Sequence, residues 1–355
     1  MLNFDSTFLK MVGIDLPIVQ APMAGVSTPA LAAAASNAGA LGSLGLGATD
    51  APGARAMIAD FRARSSRSLH ANVFCHRPAR ADAVREAAWI ERLRPEFARF
   101  DAEPPRALRE IYRSFVEDDA MLAALVAERP QVVSFHFGLP SSDRIRALRE
   151  AGIVLFGSAT SLAEARAIAA AGVHAIIAQG YEAGGHRGVF DPDADDDQLG
   201  TLALTRLLVR NVDIPIIAAG GIMDGAGIAA VLRLGASAAQ LGTAFIACPE
   251  SQADAGYRAA LASDAANHTV ITRAVSGRPA RCLANRFTAL GQKSIAREIP
   301  DYPIAYDAGK SLNAAAKRAG ESGFGAQWAG QGAPLARAMG AGELVAALAK
   351  ELAES

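Results

Sequence analysis

Two apolar runs that stop at glycines constrain this chain most. Ile217-Ala218-Ala219-Gly220-Gly221-Ile222 and Gln240-Leu241-Gly242-Thr243-Ala244 each read as a buried strand that leads into a helical pattern. They stand one strand–helix unit apart. In a barrel of eight parallel strands, the loops after the seventh and eighth strands commonly hold a phosphate. Glycine there lets backbone N–H groups approach the phosphate oxygens. The spacing therefore predicts a phosphorylated cofactor or substrate at one end of a barrel.

The rest of the chain keeps the same rhythm. Apolar strands are expected near 17–20, 41–45, 69–74, 131–136, 153–157, 174–179, 214–219 and 238–242. Ala-rich helical stretches between them end at Gly39, Gly152, Gly172 and Gly235, where glycine suits a helix C-terminus. Ser27 or Thr28 can cap the helix that begins near Pro29. Strands alternating with helices imply a parallel sheet, and eight of them favour closure. The fold class predicted is α/β, a (β/α)8 TIM barrel with an added small helical substrate-binding domain. Residues 1–75 and 127–262 form the barrel in this reading. Residues 76–126, with Trp89, Pro104-Pro105 and Tyr112, form a helical insertion. Residues 263–355 form a helical cap over the barrel mouth.

Composition narrows the function. Net charge is −1, from 35 basic and 36 acidic side chains, so nothing favours nucleic acid or an anionic membrane. No apolar run reaches the roughly 18 residues of a spanning helix. Met1-Leu2-Asn3-Phe4-Asp5 lacks the basic-then-apolar order of a signal peptide. Cys75, Cys248 and Cys282 are too scattered for a zinc site or a disulfide framework. A cytoplasmic protein, monomer or homodimer, is expected. No His/Asp/Glu cluster has metal-ligand spacing, so no catalytic metal is expected. No Gly-x-Ser-x-Gly elbow points to a hydrolase.

Catalytic side chains of barrels sit at the C-terminal ends of strands. Those ends here carry Gln20 and Met23, Asn72, His136, Ser158, and the dense segment Gln179 to Gly188. His186 stands among Gly184, Gly185 and Gly188, where backbone can lie against a flat ligand. Its expected role is a base or a hydrogen-bond donor to an anionic substrate. His136, between Phe135 and Phe137, either points into the barrel mouth or is a satisfied core histidine. Asn72, Gln179 and Gln240 are amides at one rim. Each offers a donor and an acceptor, as the edge of a flavin ring requires, which favours FMN over a simple sugar phosphate. Tyr302, Tyr306 and Lys310 share one face if helical. They are read as a polar lid for an anion or, alternatively, as a solvated face.

Taken together, several segments resemble the nitronate monooxygenases, formerly called 2-nitropropane dioxygenases. They are Gln20-Ala21-Pro22-Met23-Ala24-Gly25-Val26-Ser27-Thr28-Pro29, Gly180-Tyr181-Glu182-Ala183-Gly184-Gly185-His186-Arg187-Gly188, the two glycine-ended strands above, and Trp328-Ala329-Gly330-Gln331-Gly332. Their order and spacing carry the resemblance, from near residue 10 to near residue 335, and point to the class I branch. It implies an FMN barrel that oxidises alkyl nitronates, such as propionate 3-nitronate, with O2. Carried onto this sequence, FMN contacts fall on Met23, Asn72, Gln179, Gly184, Gly221, Gln240, Leu241, Gly242 and Thr243. His186 matches the active-site histidine. His136, Tyr302, Tyr306 and Lys310 line the substrate side. Two alternatives share the scaffold: an NAD(P)H-dependent quinone or enoyl-thioester reductase, and a flavin- or phosphate-binding protein without activity.

Overall fold

The computed structural model describes residues 5–292 and 296–355; Met1 to Phe4, part of the N-terminal segment read above, lie outside them. The strands are, in chain order, β1 (Ile18–Gln20), β2 (Gly42–Gly45), β3 (Leu69–Phe74), β4 (Val132–His136), β5 (Val154–Ala159), β6 (Ala175–Gln179), β7 (Gly185–His186), β8 (Ile216–Ala219), β9 (Ala238–Leu241), β10 (Thr269–Thr272) and β11 (Ala280–Leu283). Eight of them form one parallel sheet in the order β1-β9-β8-β6-β5-β4-β3-β2. A parallel bridge from Val19 to Leu41 joins its edges. The Gln20 N–H donates to Leu41 O and the Leu41 N–H to Ile18 O, both at 2.9 Å. The sheet is thus a closed (β/α)8 TIM barrel, with all eight strands where the apolar runs put them. Thr28 is the cap that begins the helix Pro29–Asn37.

Alternation sorts each strand into two faces. Val133, Phe135, Leu155 and Ile176 pack outward against the helices. Val132, Val154, Phe156, Ile177 and Ile217 fill the barrel interior. Phe8 and Val12 from the helix Ser6–Val12 join that interior cluster and plug one end, Phe8 stacking 6.1 Å from Phe156. A buried polar layer lies among them. His70 reaches Ser43 Oγ at 2.8 Å and Ser134 Oγ at 2.6 Å. Asn72 donates to the same Ser134 hydroxyl at 2.8 Å. Next along the inward faces come Phe74, His136, Ser158, Gln179 and Gln240, which floor the cavity at the strands' C-terminal ends.

The segment beyond residue 263 differs from the all-helical cap expected there. β10 and β11 pair antiparallel, and β11 also pairs with the two-residue β7. This small sheet escapes notice because each strand is four residues or fewer and sits among Ala-rich helical patterns. The helix Ala83–Ala98 of the expected insertion packs in one cluster with the helix Ile304–Arg318, through Trp89, Leu93 and Phe97 against Ala308 and Leu312. Both helices therefore belong to one cap body.

The last helix is not part of that cap. Ala341–Glu354 buries Leu344, Val345, Leu348 and Leu352 with Ile228 and Val231 on one side and Leu31 and Ala35 on the other. It stands between the helix that follows β8 and the helix that follows β1, so it completes the eighth strand–helix unit. The cap is inserted between β9 and this helix. Gly225 lets the helices meet closely: a Cβ there would overlap Glu351 Cβ and Leu352 N. Its N–H donates to Glu351 Oε2 at 2.8 Å. Overpacking at such a contact costs about 1–3 kcal/mol. Gly225→Ala is expected to lower the thermal unfolding midpoint by that cost; an unchanged midpoint would mean the last helix does not seat here.

Candidate active site

The cavity at the strand ends is roofed by the cap. Of the sequence-derived residues, Met23, Asn72, His136, Gln179, Gly184, His186, Gly221, Gln240, Gly242, Thr243, Tyr302 and Tyr306 all line it. Leu241 does not. Its side chain packs into the core between barrel and helices, because alternation turns it away from its neighbour Gln240. Lys310 does not line it either. It is exposed, one layer behind, with its ammonium 4.9 Å from the Tyr112 ring and 5.4 Å from that of Tyr306. Helical spacing gives Lys310 a face but not a depth. Tyr302 precedes the helix, which starts at Ile304, yet it still reaches the cavity.

His186 is held from several directions. Its backbone lies in β7, opposite Ala280 of β11. Its carbonyl accepts from Gln179 Nε2 at 2.9 Å. Gln179 Oε1 accepts from the Gly188 N–H at 2.7 Å. The Gln179 amide, expected at a flavin edge, therefore holds the histidine loop on both sides. Gly184 is where Trp328-Ala329-Gly330 crosses: a Cβ on Gly184 would lie 2.5 Å from Gly330 N. Gly330 N–H in turn donates to Thr243 Oγ1 at 2.9 Å. The two glycine motifs of the sequence thus pack against each other.

The imidazole of His186 sits in an aromatic box. Ring centroids lie 4.9 Å away for Trp328, 5.3 Å for Tyr302, 5.6 Å for Phe137 and 6.3 Å for Tyr306. Its Nε2 is 2.9 Å from Ser276 Oγ. Burial, and then the neighbouring His136, Arg278 and His76, hold its pKa well below 6.5. It is a neutral imidazole, not a cation. The Ser276 hydroxyl can donate to Nε2 or accept from it, which leaves the other ring nitrogen a donor or an acceptor. His136 is 3.0 Å from Ser158 Oγ and 3.3 Å from the His186 carbonyl. That carbonyl can only accept, so His136 carries its proton on Nε2. Burial takes its pKa down to about 4.

Sequence reasoning missed several residues. Tyr112, Tyr257 and Trp328 line the cavity, and Ser276 reaches His186. Four of the five tyrosines in the chain, Tyr112, Tyr257, Tyr302 and Tyr306, meet here. Tyrosine scarcity, five in the whole chain, is the sequence signal that could have found them. None of the described residues lining the cavity is Asp, Glu, Lys or Arg. Among the described residues no His/Cys/Asp/Glu group could hold a metal ion, and no helix is long and apolar enough to cross a membrane. Cys75 is buried near the cavity floor, where desolvation pushes its thiol far up, so it is not a ready nucleophile.

Fold and site together define a (β/α)8 barrel with an uncharged, tyrosine-rich cavity beside a glycine-built rim at its strand ends. Comparison with known proteins narrows that class. A family model described as nitronate monooxygenase matches residues 5–351. A nitronate monooxygenase of Paraburkholderia phytofirmans is 62% identical, over 98% of this chain and 95% of that one. One from Pseudomonas aeruginosa is 52% identical, over 97% and 98%. A solved nitroalkane oxidase from Streptomyces ansochromogenes superposes with a TM-score of 0.90 at 43% identity, covering 98% of each chain. The chain belongs to the nitronate monooxygenase family and is an oxidoreductase.

The buried imidazoles make a pH prediction. His70 and His76 are held near about 3 and His136 near about 4 by burial. In the unfolded chain each titrates near 6.5. Below that value the unfolded chain takes up protons that the fold refuses, so stability is full above it and falls as pH drops. Each group contributes up to about 1.4 kcal/mol per pH unit. The unfolding midpoint is expected to fall between about pH 6.5 and 5, above the carboxylate range, with proton uptake on unfolding. A flat midpoint there would show these imidazoles charged in the fold.

Proposed function

We infer that the chain oxidises alkyl nitronates, such as propionate 3-nitronate, with molecular oxygen, giving carbonyl products plus nitrite or nitrate, and that its cofactor is FMN. The observation that carries the reading is an uncharged, hydrogen-bonding cavity wall with cations one layer behind it. The phenols of Tyr112, Tyr302 and Tyr306 and the neutral His186 can bind a nitronate without a formal ion pair, while the Tyr257 hydroxyl donates to the Trp328 carbonyl. Lys310 lies behind Tyr112 and Tyr306, and Arg278 lies over the Phe137 ring at 4.3 Å. Both bring positive charge near the cavity without lining it, and their Coulomb attraction favours a bound anion.

The residues present suit FMN. Gln240 Oε1 is buried without a protein partner, as an acceptor for a ring N–H would be. Gly242 and Thr243 line the cavity just after β9, where glycine lets backbone N–H groups come close to a phosphate. Gly221, Gly242 and Thr243 would hold the phosphate, and Met23, Asn72, Gly184 and Gln240 would border the ring. Bound there, FMN would supply the electron acceptor and the group that passes electrons to oxygen. The chain's part is to orient the nitronate and exclude water. A nitronate is already deprotonated, so His186 needs only to hydrogen-bond it. Toward a neutral nitroalkane His186 would be the base within reach. Three free buried thiols suit a reducing, cytoplasmic compartment.

The test is a visible spectrum of the purified protein, then anaerobic addition of propionate 3-nitronate and, separately, NADH. A flavin spectrum bleached by the nitronate alone is expected. Bleaching by NADH alone would replace the reading with a reductase, and an absent flavin would remove the cofactor. His186→Asn is expected to keep the flavin and lower nitronate kcat/KM by roughly a hundredfold. In the wild type, kcat/KM corrected for substrate ionisation should show no break near pH 6.5, because His186 stays neutral below it. A break there would mean the imidazole titrates as an ordinary one.

A further inference from the structure

A second pocket lies on the far side of Tyr302, which lines both it and the catalytic cavity. Its walls carry Arg77, Arg85, Arg273, Arg278 and Arg297 against only two carboxylates, Asp193 and Asp301. Those carboxylates are already shared. Arg85 pairs with Asp301 at 3.1 Å, and Arg77 reaches Asp193 at 3.4 Å and Asp301 at 4.0 Å. Arg273 reaches Asp193 at 3.5 Å. The pocket therefore keeps an excess of positive charge.

Arg278 is the decisive group. It is 2% exposed. One nitrogen donates to the Val189 carbonyl, but its Nε has no hydrogen-bond partner. The Nε of Arg85 has no hydrogen bond either, its nearest carboxylate oxygen being Asp82 Oδ2 at 3.9 Å. A buried guanidinium left unsatisfied is costly, and such groups call for a bound ion or water.

We propose that this pocket is a second anion site, which holds a planar two-oxygen monoanion, nitrite or a carboxylate, on Arg278 with Arg85 and Arg273. Guanidinium forks match two coplanar oxygens through paired N–H bonds. Nitrite is the member of that class released by the reaction inferred above, and in that respect the assignment of the ligand rests on that reading. The site is separate from the catalytic cavity, because Arg85 and Arg273 do not line the latter.

The experiment is calorimetric titration of the flavin-loaded protein with sodium nitrite, sodium formate and inorganic phosphate at constant ionic strength. Nitrite and formate should bind. Arg85→Gln combined with Arg273→Gln should weaken both by about tenfold or more and leave the KM for propionate 3-nitronate unchanged. If only nitrite binds and the double variant weakens it, the site is specific for the product. If only formate does so, the site belongs to carboxylates. Binding unchanged in the double variant would place the anion in the catalytic cavity and overturn the proposal. So would no binding, or tighter binding of phosphate. Should the double variant fold poorly, Arg273→Gln alone, at a side chain 24% exposed, should weaken nitrite by about threefold or more; no change would likewise overturn it. The titration needs no turnover, so loss of the nitronate reading and loss of the site give different results.

Discussion

The backbone pairing of Gly185 and His186 with Arg281 and Ala280 is the contact on which the rest of the site depends. Between β6 and β7 the chain leaves the barrel and joins the sheet of the cap. His186 would otherwise hang on a loop of glycines. Its neighbour Arg187 is buried and forked onto Asp196 at 2.7 and 2.9 Å, with the Gln179 and Gly180 carbonyls taking a third nitrogen. Asp196 is 22% exposed while Arg187 is buried, so losing the carboxylate would leave a buried guanidinium short of its charge partner. Arg187 thus fixes the loop from below while Gln179 fixes it from inside. The glycines give close approach, and these two side chains remove the freedom that glycine brings.

The placement of charge suits electron loss from an anion. A lysine or arginine inside the cavity would stabilise the nitronate most while it still carries its full charge. That holds the ground state against oxidation, and binding of that sort does not raise kcat. Lys310 and Arg278 instead bring their charge near the cavity without lining it. Desolvation keeps both cavity histidines neutral. Attraction for the anion is retained, and the penalty for discharging it is softened.

Much of this was legible in the chain. Parallel strands covered on both faces are near-continuous apolar runs, so all eight barrel strands stood out, and the residues at their ends named the cavity floor except for Phe74. β7, β10 and β11 were not legible. Ala280-Arg281-Cys282-Leu283 has no apolar alternation and is a strand only because β7 and β10 flank it. Tyr112, Tyr257 and Ser276 were missed for a related reason. Each comes from a different part of the cap or rim, and no local period connects it to His186. The side chains of Leu241 and Lys310 fall outside the cavity lining because a motif or a helix face fixes direction around an axis, not which layer the side chain occupies.

The interrupted eighth unit ties these observations together. The chain leaves the barrel after β9, builds the cap, and returns at Ala341 to complete the wall. Arg337 and the Gly225 N–H both bind Glu351 where it docks. A second excursion, after β3, adds the helix Ala83–Ala98 to the same cap body. A roof joined to the barrel at both excursions, and again through β7, cannot swing on a single hinge. The aromatic box around His186 is therefore set by how the barrel wall packs, and the last helix, though remote from the cavity, helps fix the roof that closes it.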